Sequence, residues 1–513
     1  MKQNHPCNTI VICSDQHHFR YAGYAGHPFV KTPNLDALAE EGTVFTQAYC
    51  NCPVCTPSRM SFITGKYVSQ IGSWFIGVPL DEKEKTWASR LSEAGVHTTM
   101  IGKMDFCGPY QSGGFDDYQI IERRGMFDPY PRTSPLGSRV REYIRSDKRA
   151  HIKNAGIRKQ LYTNGSDGHN DALGFYDHDR MITQWAINYL RGLQNRLSDE
   201  PWTLYLGYLM PHWPYTCPKE YFDLYYPDRV QMPFDCVMPE NEKLHPAVRE
   251  FQRACNLTDI SADDVRRVLA GYCGMITAMD GMIGQVFAEL KRLGLYEDVN
   301  ILYTSDHGDS CGEHGLFYKQ CSYDGSCAVP LVMKGPDIKK GHTVTVPVTL
   351  ADMYPTLMDL WNLPVEEDRP GKSWRPLLEG GNAYGMEYAF AEYHGNFFRD
   401  SWYMLVKDGF KYTYYVGGRP TLFHLDSDPR EMHDLAALPE HRERLAAFEA
   451  LLRTILDPEA VCERSKQDLG LIGPNGEDYT KELTFAKLQE GYKTGRFAYQ
   501  PEFVPYREYA KEH

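Results

Sequence analysis

Apolar residues in this chain gather in short runs that end in charge. Residues 8–14 (NTIVICS) form such a run, with Asp15-Gln16 directly after it. That is the pattern of a buried strand with polar residues at its carboxyl end. The same grammar returns at 97–101 (HTTMI), which leads into Gly102-Lys103, and at 202–208 (WTLYLGY), which leads into Met210-Pro211-His212. It returns again at 299–304 (VNILYT), which runs into Ser305-Asp306-His307-Gly308. Helical spacing separates these runs. In TPNLDALAEEG, Thr32 is placed to cap, Pro33 suits the first helical position, Leu35 and Leu38 share a face, and Gly42 stops the helix. Residues 43–48 read as a strand leading toward Cys50. Residues 261–293 open with the capping-box pattern SADD and keep a helical apolar spacing up to Gly294. Strands alternating with helices predict an α/β fold, a large and mostly parallel sheet sandwiched by helices. Such sheets place their ligands at the carboxyl ends of the strands.

Near residue 380 the pattern changes. Short alternating aromatic runs such as SWYMLVKDGFKYTYY predict antiparallel strands, and FHLDSDPREMHDLA leads into a helical stretch ending near Leu456. We therefore expect a catalytic α/β domain over 1–380 and a smaller α+β subdomain over 381–456. Residues 457–513 read as a charged tail, rich in Tyr and Pro, that packs on a neighbouring subunit. The Arg-, Tyr- and Asp-rich segment 125–173 is expected to shape the pocket.

Bulk composition narrows the partners. The 513 residues carry a net charge of −13, which disfavours nucleic acid and anionic membrane surfaces. No run of about 18 apolar residues occurs, so no spanning helix is expected. The amino terminus lacks the apolar segment of a secretory signal. Fourteen cysteines are scattered without a framework, the usage of cytoplasmic thiols.

Three cysteines crowd one stretch, Cys50, Cys52 and Cys55, in CNCPVCTPSR. No matching Cys or His pair follows at zinc-site distance, which argues against structural zinc. Cys55 then reads as a packed thiol, a metal ligand, or a nucleophile activated by a helix starting near Pro57 and by Arg59. Asp15 with Asp306 and His307 make an oxygen-rich set with one imidazole, suited to a single Ca²⁺, Mn²⁺ or Mg²⁺. Asp309, Glu313 and His314 read equally well as further ligands or as a capped helix start.

CTPSR followed by MSFITGKY resembles the signature of the type I sulfatases, formylglycine-dependent enzymes of the alkaline phosphatase superfamily. TPNLDALAEEG, GKMDF, PHWPY, SDHGDSCGEHG with Lys319, and FHLDSDPREMHDL fall in that family's order, and they span roughly residues 8 to 440. The resemblance implies an alkaline phosphatase-like mixed sheet. It further implies that a maturation enzyme oxidises Cys55 to Cα-formylglycine, whose metal-held hydrate attacks a small sulfate ester. Asp15, Gln16, Asp306, His307 and the modified Cys55 match the metal ligands. Arg59 matches the residue that holds the formylglycine, Lys103 and Lys319 match the lysines on the anionic oxygens, and His212 matches the histidine near the leaving group. The resemblance lies toward the choline-sulfatase and phosphonate monoester hydrolase branch, so hydrolysis of a phosphonate monoester or phosphodiester is the alternative activity. A homo-oligomer is an expectation by analogy.

Two positions depart from the family pattern. Asp105 stands where Gly-Lys-x-His is usual, and it must pair with Lys103, support the metal, or contact a cationic substrate. Ile76 replaces a residue that is polar in several relatives. Two readings from other classes also stand: a fold-keeping binding protein with Cys55 never modified, and a hydrolase using Cys55 itself as a thiolate.

Overall fold

The computed structural model describes residues 6–76, 78–107, 110–119, 174–194, 200–233, 244–255, 257, 260–382, 384–395, 398–469 and 472. Its strands in chain order begin with β1 Thr9–Ser14, β2 Thr43–Phe45, β3 Ala48–Tyr49, β4 His97–Gly102 and β5 Asp117–Gln119. They continue with β6 Trp202–Gly207, β7 Asn300–Ser305, β8 Leu331–Lys334, β9 His342–Val344 and β10 Val348–Thr349. The last four are β11 Ala389–Tyr393, β12 Trp402–Lys407, β13 Phe410–Tyr415 and β14 Thr421–His424. Eight of them form one sheet in the order β5-β4-β6-β1-β7-β8-β2-β9. It is parallel from β5 through β7, and β8 runs antiparallel to both of its neighbours. The mixed, mostly parallel sheet expected from the sequence is present, and β11-β12-β13-β14 form a separate antiparallel sheet.

The central strands are uncharged and mostly apolar because both faces are covered. Every residue of β1, β6 and β7 is buried, as sheets flanked by helices on two sides require. The flanking helices include α1 (Pro33–Glu40), α2 (Cys55–Thr64), α3 (Phe175–Leu193) and the long α4 (Ala262–Arg292). Ser261 caps α4 as its sequence suggests, its hydroxyl accepting from the Asp264 amide.

The cap of α1 differs from expectation. The Thr32 hydroxyl donates to Asp36 Oδ1 at 2.8 Å and makes no cap hydrogen bond. Instead Asp280, within α4, accepts from the Asn34 and Leu35 amides at 3.2 and 2.8 Å. A carboxylate from a neighbouring helix satisfies the orphan donors that a local hydroxyl would otherwise take.

The stretch beyond residue 457 also differs from a structureless tail. Asp457 caps α6, Pro458–Asp468, which follows α5, Arg442–Ile455. Helix α6 packs on its own chain: Asp468 accepts from Trp74 Nε1 at 2.8 Å and Lys466 pairs with Asp400 at 2.6 Å. The polar, Pro-led pattern concealed a helix that buries a narrow face, Cys462, Ser465 and Lys466. The expected intersubunit tail otherwise lies outside the described residues, as does segment 125–173. Among the described residues no helix is long and apolar enough to cross a membrane, and the described cysteines are free thiols.

Candidate active site

Strand register brings the charged residues together. Ser14 pairs with Ser305 across β1 and β7, so Asp15 and Asp306 leave the sheet side by side. One strand further, Cys13 pairs with Gly207, and Gly207 pairs with Gly102. Lys103 and the 208–212 segment therefore emerge at the same edge. The two glycines permit this approach: a Cβ on Gly102 (φ +91°) would stand 2.3 Å from Gly207 O, and one on Gly207 2.0 Å from Lys103 O. No larger residue fits there without moving a strand.

Helix α2 delivers Cys55 from below this edge. It begins at Cys55 itself, two residues ahead of the predicted start, with Val54 as N-cap. Pro57 is tolerated because the first-turn amides lack intrahelical partners. Its ten residues are all buried. Arg59 lies one turn on from Cys55, on the same face. Its Nε donates to Asp306 Oδ2 at 2.9 Å, and NH1 donates to Lys103 O and Tyr205 OH, both at 2.8 Å. NH2 stands 3.4 Å from Asp15 Oδ2.

Asp15, Cys55, Asp306 and His307 each turn one donor atom inward, and these four atoms lie within 4.8 Å of one another. Cys55 Sγ is 3.3 Å from His307 Nε2. The His307 tautomer is fixed: Nδ1 donates to Gly308 O at 3.0 Å, leaving the Nε2 lone pair to face the cluster. Burial holds that imidazole down at about 4, so it is neutral near pH 7. Two carboxylates, a neutral imidazole and a side chain at position 55 suit one divalent cation. Burial alone would raise Asp15; Lys103, His212, Arg59 and Lys319 outweigh it and hold the carboxyl well below its usual range. Burial, then the Asp15 charge, pushes the Cys55 thiol up to about 12 despite the lysines. Arg59, engaged with carboxylates, does not activate the thiol as the sequence alone suggested.

Cations close the site from both flanks of β1. Lys103 Nζ is 2.6 Å from Asp15 Oδ2. Lys319 Nζ donates to Gln16 Oε1 at 2.6 Å and stands 3.5 Å from Cys55 Sγ. Gln16, at φ 68°, donates through Nε2 to Asp309 Oδ2. His212 is buried between the rings of Phe175 and Trp213, with centroids at 5.9 and 5.4 Å. Trp213 meets Tyr318 edge-on at 5.6 Å, giving an aromatic rim beside Lys319.

All eight sequence-predicted site residues and Gln16 thus reach one edge. Asp309, Glu313 and His314 serve other ends. Asp309 accepts from Tyr215 OH at 2.7 Å and the Cys311 amide at 2.8 Å. Burial opposes ionisation of Glu313, but His18 and Arg20 draw it down to about 2, while His314 stacks on Tyr323 at 4.1 Å. Asp105 is buried at φ 65°; it accepts from Thr56 Oγ1 at 2.5 Å and lies 3.8 Å from Lys103 Nζ. Pairing with Lys103 is therefore the reading the geometry favours, with a second tie to the first turn of α2. Sequence reasoning missed Tyr205, Tyr215 and Thr56. Tyr205 sits in an apolar run, where only its hydroxyl marks a polar duty, and Tyr215 closes the PHWPY motif, where only His212 stood out.

Family comparison agrees with this geometry. Residues 7–363 match the model named Sulfatase, and residues 312–456 match N-sulphoglucosamine sulphohydrolase, C-terminal. Arylsulfatase K of Danio rerio is 30% identical over 528 residues, covering 96% of this chain and 93% of its own. The choline-sulfatase of Rhizobium meliloti (strain 1021) is 29% identical over 466 residues, covering 88% and 87%. Among solved structures, the phosphonate monoester hydrolase of Agrobacterium radiobacter superposes with TM-score 0.70 at 23% identity, covering 92% of this chain and 99% of its own. A 2-O GAG sulfatase gives TM-score 0.70 at 21% identity, covering 93% and 96%. With the matched model extending over most of its length and Cys55 set among carboxylates, imidazole and lysines, the chain belongs to the Sulfatase family and is a sulfuric ester hydrolase.

Proposed function

We propose that this enzyme cleaves a small sulfate monoester through Cα-formylglycine formed at Cys55 by a maturation enzyme. The carrying observation is the position of Cys55 Sγ among Asp15, Asp306 and His307, with Lys319 3.5 Å away. A divalent ion and a formylglycine hydrate, when present, supply an activated oxygen nucleophile and an exit route for the covalent ester. Asp15, Gln16, Asp306, His307 and residue 55 would hold the ion. Arg59 neutralises both carboxylates from beneath and fixes the helix turn that carries residue 55. Lys103 and Lys319 grip the sulfate oxygens from opposite flanks, where charge grows as the ester bond breaks. His212 donates a proton or hydrogen bond to the departing oxygen. The rim of Phe175, Trp213 and Tyr318 supports an aromatic or ring-bearing leaving group, packed against their faces.

The first test is the mass of tryptic peptide 32–59 from protein co-expressed with a formylglycine-generating enzyme. An aldehyde or hydrate at Cys55 supports the proposal. An unmodified thiol in protein that still turns over sulfate esters overturns it. Chelation should abolish turnover, and readdition of Ca²⁺, Mn²⁺ and Mg²⁺ in parallel identifies the ion. On a matched panel, an aryl sulfate should outpace an aryl phosphonate and a bis-aryl phosphodiester; the reverse order would favour the phosphonate branch.

A further inference from the structure

Lys319 reaches the site from a segment with little regular structure of its own, the loop between β7 and β8. Its neighbours are both left-handed, Tyr318 at φ 69° and Gln320 at φ 86°. For residues with a Cβ this conformation costs roughly 1–2 kcal/mol each, and it persists only where the surroundings dictate it. Tyr318 is held within the catalytic domain, by the Ser310 amide on its carbonyl and the rings of Trp213 and Tyr215, whereas the surroundings that hold Gln320 and the residues after it come from the C-terminal sheet.

Four side chains from that part of the chain hold three of the five residues after Lys319. Trp402 Nε1, on β12, donates to Gln320 O at 3.1 Å. Tyr415, on β13, shares a 3.1 Å hydrogen bond with Ser322 Oγ. Lys411, also on β13, donates to Asp324 Oδ1 at 2.8 Å. Glu431, just beyond β14, accepts from the Asp324 amide at 2.7 Å, and Lys411 Nζ is 2.8 Å from its other oxygen. Asp324, Lys411 and Glu431 are all buried. Two carboxylates on one ammonium in the interior are a poor way to gain stability, whereas fixing a unique arrangement is an attested use of such clusters. The same cluster gives Glu431, within FHLDSDPREMHDL, a task that the metal site does not.

The geometry points to a catalytic duty for the C-terminal sheet: Trp402, Lys411 and Glu431 are positioning residues that set Lys319 over residue 55 by holding segment 320–324. This rests on the reading of Lys319 as the group that grips the sulfate oxygens. Displacing the loop by part of an ångström would lengthen a charge-assisted contact and weaken sulfate binding in ground and transition states alike.

The test uses the matured, metal-loaded full chain and two readouts, kcat/KM on an aryl sulfate and competitive inhibition by inorganic sulfate. Lys411→Met should lower kcat/KM and sulfate affinity by about tenfold or more, the scale of one charge-assisted hydrogen bond. In a Lys319→Ala background the same change should cost less than about twofold in either readout, because the group it positions is gone. Trp402→Phe removes only the indole N–H donor. It should show a smaller loss of about threefold with the same dependence on Lys319, and it decides the matter if Lys411→Met fails to fold. Equal losses with and without Lys319 would overturn the inference while leaving the role of Lys319 intact. A Lys319→Ala variant with unchanged kcat/KM and sulfate affinity would instead remove the reading on which the inference stands.

Discussion

His307 and His394 are both fully buried imidazoles beside buried carboxylates, yet only one faces a reactive space. His307 gives Nδ1 to a backbone carbonyl and leaves Nε2 pointing among Asp15, Asp306 and Cys55. His394 shares Nδ1 with Ser401 Oγ at 2.8 Å and Nε2 with Glu392 Oε2 at 3.0 Å. Glu392 Oε1 in turn accepts from the Ser69 amide at 2.7 Å. The chain thus holds a Ser–His–Glu relay of the sort that activates nucleophiles on other folds. Here it is sealed by Trp74 and Tyr403, whose rings lie 4.8 and 5.6 Å from the imidazole. It ties the segment after α2 to the C-terminal sheet. Residue types alone do not make a site; an uncommitted lone pair at a sheet edge does.

The strongest way to break this contrast is to remove one partner on each side. Cys55→Ala, which leaves nothing to mature, and Asp306→Ala in co-expressed protein should each cut turnover by about a thousandfold or more relative to matured wild type, with a native circular dichroism spectrum. His394→Ala should leave Glu392 Oε2 buried without its imidazole partner, costing on the order of 1–3 kcal/mol of stability in a denaturant titration. Turnover per folded molecule should stay close to wild type. A His394→Ala protein that melts normally but is inactive would make the sealed relay catalytic and end the comparison.

Two gentler changes sharpen it. Burial raises the Glu431 carboxyl to about 7 against the pull of Lys411. An acid whose folded value is raised binds its proton more tightly folded than unfolded. Its contribution to stability is therefore greatest below about 4.5, the value of an unperturbed glutamate, and declines as pH rises toward 7. Glu431→Gln should remove that decline, so the difference between wild-type and variant melting temperatures should change between pH 4.5 and 7; a constant difference would refute it. The smallest effect is expected from Asp105→Asn, which keeps an acceptor for Thr56 and loses only the charge near Lys103. We expect a change in kcat/KM of about tenfold or less, read on the same aryl sulfate.

Much of this was legible in the sequence, for a physical reason. Buried parallel strands must be apolar to their ends, so the first charged residue after each run marks the sheet edge, and Asp15, Lys103 and Asp306 all announced themselves this way. Partnerships across the fold did not. Asp280 caps a helix 246 residues earlier, and nothing in AMDGMIG shows it. Arg59 was visible as a motif residue, but its four partners lie on or just after four different strands. Glu392 and His394 alternate along a strand reading and look like an ordinary amphipathic edge until Ser401 and Ser69 arrive from elsewhere. Helix α6 was missed because its buried face is narrow and polar in composition.

The burial of Cys55 also fixes an order of events in the life of the chain. Its side chain has no exposed surface, and the helix that begins with it is buried over all ten residues. A second protein could reach that thiol only by dismantling α2 and opening the sheet edge above it. Any enzyme that rewrites Cys55 must therefore meet it while the chain is still extended, during synthesis or before collapse. If turnover requires the formylglycine proposed above, a cysteine still unmodified when the core closes would stay so, and the active fraction would be set by a race between modification and folding.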